Sequence, residues 1–312
     1  MDDVSRPNTA ASGPASRILV IASSGGGGDG PPLISAALAL QNAGHEISVF
    51  ADEAVAASLQ GTALPVDALT EIETLEARQR RFREAQDPGM PFPLMDWAKE
   101  AAAFAVPFAN EFEPDLLLCS DFTSTLGYRV RKETGTPMCI VHATYYTGEG
   151  ARRSVDQDFG QTGGAMMEHL MATGDLILLA TDPVYDPPPD PVPLNHHWVG
   201  TLIWEPVESS PAWLQEPGDP WVLMTLSSAR QEGEIELAQA AVAAAADFPV
   251  RLLVTLADGK SGDGLVTVDD KVRVETFVPH SQVLERARLC IAHSGHGIVA
   301  KALHFGVPMV LV

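Results

Sequence analysis

A chain of 312 residues suffices for two ordinary domains, and 46% hydrophobic with 20% charged residues is the balance of a folded chain, which excludes wholesale disorder. Lys plus Arg number 20 against 41 for Asp plus Glu, a formal charge of −21, so neither a nucleic-acid backbone nor an anionic membrane is expected as partner, since both need clustered cations. The N-terminus has no apolar h-region and no apolar run approaches the ~18 residues of a membrane span, so a cytoplasmic protein without stable membrane insertion is expected.

Residues 1–16, rich in Ser, Ala, Pro, Asn and Thr, read as a disordered leader. Residues 17–22 form a continuous apolar run of buried-strand length. A glycine cluster follows at 23–32, then helical spacing at Leu33, Ala36, Ala37 and Leu40, closed by Gly44. Residues 45–50 read as a second strand. Strand, tight turn, helix and strand within about 35 residues make a βαβ unit of a doubly wound sheet. The pattern recurs with strands at 115–119, 137–141 and 175–180 and a helix at 123–134. Residues 182–193 hold six prolines, too many for either regular structure and a mark of the connection between two halves. Alternation restarts with strands at 221–225, 250–255, 272–276, 289–292 and 308–312, and helices at 232–246, 281–286 and 298–304. The expected class is α/β, with a Rossmann-like doubly wound domain at 17–200, a linker at 201–218 and a second such domain at 219–312. Cys119, Cys139 and Cys290 stand singly in apolar runs, as buried reduced thiols do.

The sharpest chemical signal is the run Ile291-Ala-His293-Ser-Gly295-His296-Gly297-Ile298-Val299. A strand ends at His293, Gly295 and Gly297 permit a tight turn, and a helix begins near Gly297. The first N–H groups of that helix, at Gly297, Ile298 and Val299, lack partners in a preceding turn and with the helix dipole suit a diphosphate. His293 can donate to the same anion. The plainer alternative is a glycine-rich turn with exposed histidines. No metal is expected, because no carboxylate or thiolate accompanies His293 and His296 in the motif.

This run resembles the nucleotide-binding segment of GT-B glycosyltransferases of the UDP-glycosyltransferase type, which include bacterial macrolide and glycopeptide antibiotic enzymes and sterol enzymes. Their pattern is His-x-Gly-x-Gly-Thr, a helix with Ala-Leu, then Gly-Val-Pro, and the resemblance extends over nearly the whole chain from Arg17. Phe277-Val278-Pro279-His280 matches the family's Trp-x-Pro-Gln segment, where the ring lies against the base, and Leu226-Ser227-Ser228 matches its Leu-Gly-Ser turn. Ile298 and Val299 depart from the family's Ser/Thr phosphate ligands. Lys301 stands where many members, though not the antibiotic enzymes, carry a ribose-binding Glu. Many members also have a catalytic His at the position of Gly27. The glycopeptide and sterol enzymes instead resemble Gly28-Asp29-x-x-Pro32, which implies Asp29 as the base. Independently of any family, Asp29 leaves the first strand at the carboxyl edge of the sheet, where a carboxylate can take a proton from a bound hydroxyl. A turn Asp accepting backbone N–H groups is the plainer reading. Asp121 falls where the family has an Asp that orients the catalytic His, and is either a support or the base. His142, Tyr145 and Tyr146 follow the next strand and are candidates to line an acceptor pocket.

The resemblance implies an inverting, metal-independent transfer of a hexose from a UDP or dTDP sugar to a hydroxyl of a small, largely apolar acceptor. It implies no cofactor besides that donor, and two Rossmann-like domains facing a cleft. Two other readings stay open. The missing His and the change at Ile298 and Val299 motivate a non-catalytic sugar-nucleotide binder. Gly25-x-Gly27-x-x-Gly30, with Asp52 closing the second strand, satisfies the dinucleotide fingerprint of an NAD(P)-dependent oxidoreductase. The family pattern continues past Gly306-Val-Pro308 to an Asp-Gln pair that holds the sugar, whereas this sequence stops at Val312, so the second domain is expected to be incomplete.

Overall fold

A strand buried on both faces has no polar side to show, and β1 (Arg17–Ala22) is of that kind. In the computed structural model, which describes residues 13–25, 27–85, 92–145, 172–206, 208–226, 233–256, 265 and 271–312, its side chains divide by parity. Leu19 and Ile21 enter one core, and Ile18, Val20 and Ala22 enter the other. Around it follow α1 (Gly30–Asn42), β2 (Glu46–Asp52), α2 (Glu53–Ser58), β3 (Val66–Leu69), α3 (Leu75–Ala85), α4 (Leu94–Phe112), β4 (Leu116–Ser120), α5 (Ser124–Thr134), β5 (Met138–His142), β6 (Leu176–Leu179) and β7 (His196–Trp198). The strands form one sheet in the order β3-β2-β1-β4-β5-β6-β7, every pair parallel. The winding reverses between β1 and β4, which makes the carboxyl ends of those two strands the topological switch point.

The second half repeats the scheme with β8 (Trp221–Thr225), α6 (Glu234–Ala245), β9 (Arg251–Thr255), β10 (Val272–Glu275), α7 (His280–Leu284), β11 (Ala287–Ala292), α8 (His296–His304) and β12 (Met309–Leu311). Its order is β10-β9-β8-β11-β12, again all parallel, with the reversal between β8 and β11. Two doubly wound sheets are therefore present, and all three cysteines are buried and free.

The sequence reading passed over α2, β3, α3 and α4. Helix α4 buries Ala98, Ala101, Ala105 and Ala109, a stripe of small residues at helical spacing, in the same core as Leu19 and Ile21 of β1. The proline-rich stretch does not leave the first half: after it the chain returns as β7, parallel to β6. The true crossing falls between two adjacent residues. Trp204 packs with Leu202 against the first half, whereas the Glu205 carboxylate accepts the N–H groups of His280 and Ser281 at the start of α7, both at 3.0 Å, and pairs with Lys301. Burial opposes the Glu205 charge, but the Lys301 ammonium outweighs it and holds the pKa below the usual range.

Gly25 sits where the turn after β1 meets α3. Its φ is +94°, and a Cβ there would stand 2.8 Å from Gln79 Oε1 and 2.9 Å from the Glu76 backbone. Gly25→Ala is expected to lower stability by about 1–3 kcal/mol through backbone strain and overpacking, read as a lower urea midpoint. An unchanged midpoint would contradict the packing of α3 on this turn.

Candidate functional site

Residues that are in register on adjacent strands of a parallel sheet stand side by side. Ser120 pairs with Val141 in the β4–β5 register, so Asp121 and His142 emerge as neighbours. Asp121 Oδ1 lies 2.8 Å from His142 Nδ1, and Oδ2 accepts the Ala143 N–H at 3.2 Å. Both groups are buried. Burial disfavours charge on His142, but the Asp121 carboxylate outweighs it and raises the pKa. His142 Nε2 faces the hydroxyl of Thr144 at 3.0 Å. Asp186, buried at the end of the first half and held by the Thr181 hydroxyl at 2.7 Å, adds a second carboxylate on the same side.

Asp29 follows β1 on a short turn of 3-10 helix, Gly27–Asp29, and is itself buried. Burial pushes its carboxyl up to about 6, Ser120 and the Phe122 N–H oppose the rise, and the charge of Asp121 adds to it. It lines a cavity of about 210 Å³ together with Ser23, Pro31, Val55 and Trp204. A wider hollow of about 790 Å³ between α3 and α4, lined by Arg78, Phe82 and Lys99 among others, contains none of these sheet-edge groups.

The dinucleotide reading of the same turn meets a physical obstacle. Asp52 Oδ2 accepts the Ser24 N–H at 2.6 Å and the hydroxyls of Ser23 and Ser24 at 3.0 and 2.8 Å, and Oδ1 accepts the Val55 N–H at 3.1 Å. A carboxylate so committed to its own turn has little left for ribose hydroxyls. The start of α3 also fills the space over Gly25.

In the second half the switch point is formed by His293 and the start of α8. The helix begins one residue earlier than the sequence implies, with Gly295 as N-cap. The Val299 N–H is therefore taken by the Gly295 carbonyl at 3.2 Å, and the Val299 side chain is buried, so Val299 drops out of the anion-facing set. The N–H groups of His296, Gly297 and Ile298 have no backbone partner among the described residues. His293 Nε2 is buried without a hydrogen bond, 3.8 Å from Glu234 Oε1 at the start of α6.

The aromatic segment divides by residue. Phe277 is 54% exposed and free to stack, Val278 is a core residue, and His280 Nε2 bonds the Thr255 hydroxyl at 3.0 Å. Burial, helped by Lys301, pushes His280 down to about 4. Ser228 and Tyr146 lie outside the described residues. The halves meet where Tyr145 packs edge-on against His296 at 5.3 Å between ring centroids. Asp186, Trp204, Glu205 and Glu234 were not found from sequence. Among the described residues no group of three or more His, Cys, Asp or Glu is placed to hold a metal, and no helix is long and apolar enough to cross a membrane.

This architecture is GT-B, two parallel doubly wound sheets with their switch points brought together, and part of the chain is similar in sequence to bacterial glycosyltransferases of antibiotic and glycolipid assembly. It is 33% identical over 148 residues to 4'-demethylrebeccamycin synthase of Lentzea aerocolonigenes, a match covering 46% of this chain and 34% of that protein. The matched part thus spans about a third of the curated relative. Among solved structures, the glycosyltransferase SnogD from Streptomyces nogalater superposes with a TM-score of 0.69 at 20% identity over 96% of this chain and 82% of that one. The glycosyltransferase VinC in complex with dTDP gives 0.64 at 19% identity, over 95% and 80%. No protein-family profile matches the chain.

The raised pKa of Asp29 has a consequence for stability. A rise from 3.8 to about 6 means that the fold favours the protonated form, so this contribution is fully present below pH 3.8 and lost as pH climbs through 6. At pH 7.5 the ionised group costs about 3 kcal/mol. The Asp29→Asn variant is expected to gain stability relative to the parent between pH 4 and pH 7.5, by up to that amount in urea unfolding. A difference that does not change with pH would contradict the burial of an ionised carboxylate here.

Proposed function

We propose that the chain binds a nucleoside-diphosphate sugar, of UDP or dTDP, and transfers its hexosyl group with inversion to a hydroxyl of a small, largely apolar acceptor. The observation that carries this reading is the apposition of the two switch points. Asp29 and the Asp121–His142 pair stand on one side, and His293 with the open start of α8 stands on the other. The dTDP bound to VinC, on the same fold, supports a nucleotide ligand.

The chemistry follows from the two sides. A carboxylate poised near pH 6 is a suitable proton acceptor at neutral pH, so Asp29 takes the proton of the acceptor hydroxyl as its oxygen attacks the anomeric carbon. The bond from that carbon to the diphosphate breaks on the opposite face, which inverts the centre. The leaving diphosphate gathers negative charge, met by the N–H groups of Gly297 and Ile298, the dipole of α8 and His293. Fixed donors of this kind serve the role a metal ion fills elsewhere. Asp121 has both oxygens engaged and acts by fixing His142 and raising the pKa of Asp29 rather than as the base. The acceptor is received in the first half, at the cavity beside Asp29 and Trp204.

His293→Ala is expected to weaken UDP or dTDP binding at least tenfold in calorimetric titration while the thermal transition stays cooperative, since a charge-assisted hydrogen bond contributes about 1.5–3 kcal/mol. Unchanged affinity in a folded variant would contradict the anion site. Asp29→Asn is expected to cut turnover by about 10²–10⁴ with donor binding retained. Full turnover in that variant together with its loss in Asp121→Asn would move the base to Asp121.

A further inference from the structure

Among the polar side chains at the meeting of the two halves, His296 is the least satisfied. It is the first residue of α8, and both ring nitrogens are buried with no hydrogen-bond partner. Its ring packs edge-on against Tyr145 at 5.3 Å, and its electrostatic neighbours are His142, Asp121 and Asp186. Burial, with His142 facing it, pushes its pKa down to about 4, so at neutral pH it is an uncharged imidazole with one donor and one acceptor. Native structures rarely keep a buried polar group unmet without a reason.

The position of the ring says what kind of ligand would satisfy it. In sequence it stands next to Gly297 and Ile298, whose N–H groups face the diphosphate in the reading above. In space it stands against the residues that follow β4 and β5, the acceptor side. Between the leaving phosphate and the attacking hydroxyl lies the group being transferred. An anion gains less from a neutral imidazole than from the open N–H groups beside it. A sugar hydroxyl both donates and accepts, and so matches a ring that offers one of each.

We propose that His296 recognises the hexosyl group of the donor, its two ring nitrogens hydrogen-bonding to sugar hydroxyls. This rests on the nucleotide-sugar reading, and it makes His296 a determinant of which sugar is held rather than of nucleotide affinity. Tyr145 sets the ring plane by its edge contact, so the acceptor half helps to orient the donor sugar.

The test is calorimetric titration of the full chain and of His296→Phe with UDP, UDP-glucose, dTDP and dTDP-glucose. Phenylalanine keeps the ring and its contact with Tyr145 but removes both nitrogens. The expected result is nucleotide affinity within twofold of the parent, with affinity for the corresponding nucleotide sugar lower by about tenfold. His296→Gln, which restores a donor and an acceptor, recovers part of the loss. Equal losses for nucleotide and nucleotide sugar, or no loss for either, overturn the role of His296 while leaving the nucleotide site standing. A parent chain that binds none of the four probes overturns the nucleotide-sugar reading itself, and this proposal with it.

Discussion

A carboxylate shut inside a protein must be paired, and the site is arranged around one such pairing, Asp121 with His142. The bond locks the imidazole in place and settles both Asp121 oxygens, one on the ring and one on the Ala143 N–H. A settled negative charge then governs its neighbours. Asp29, buried a strand away, ionises only near pH 6, partly because Asp121 is already charged. On the other side, His296 stays neutral against His142. Burial is the larger cause of both shifts, with the Asp121 charge adding to the one at Asp29 and His142 adding to the one at His296.

That pairing is available only because the sheets are wound as they are. In each half the first strand is central and the winding reverses beside it, so loops from neighbouring strands diverge and leave a crevice at their carboxyl ends. The two crevices differ in chemistry, one buried and acidic, the other built from open N–H groups and a histidine. The linker ties them through two adjacent residues. Trp204 walls the cavity beside Asp29, and the next residue, Glu205, is fixed to α7 and to Lys301 of α8. Trp204 and Glu205 thus join the wall of the cavity beside Asp29 to α7 and α8.

Much of this could be read from the sequence because parallel strands buried on both faces leave unbroken apolar runs, and because glycine turns after them mark the sheet edge. What escaped did so for physical reasons. Helix α3 is dominated by Arg and Glu and buries little beyond Leu75 and Gln79, so it carries no broad apolar stripe. The β7 segment, His196-His197-Trp198, is a short edge strand without apolar alternation. Asp186 lies among prolines where no periodicity points inward. The Asp121–His142 pair was legible in principle: β4 ends at Ser120 opposite Val141, which sets the residue after β4, Asp121, beside the last residue of β5, His142. A helix beginning at Gly297 would leave the Val299 N–H open to an anion, whereas one beginning at His296 bonds it to Gly295, and sequence alone does not resolve a one-residue shift of that kind.

The central claim, that the second crevice is built for a nucleoside diphosphate and the first is not built for a dinucleotide, is tested most directly by the thermal transition of the full chain in the presence of UDP, dTDP, GDP, NAD and NADP. Ligands that bind only the folded state raise the transition, by an amount that grows with the logarithm of their concentration above Kd. The account predicts a rise with UDP or dTDP and none with NAD or NADP. A rise with NAD or NADP alone would contradict it.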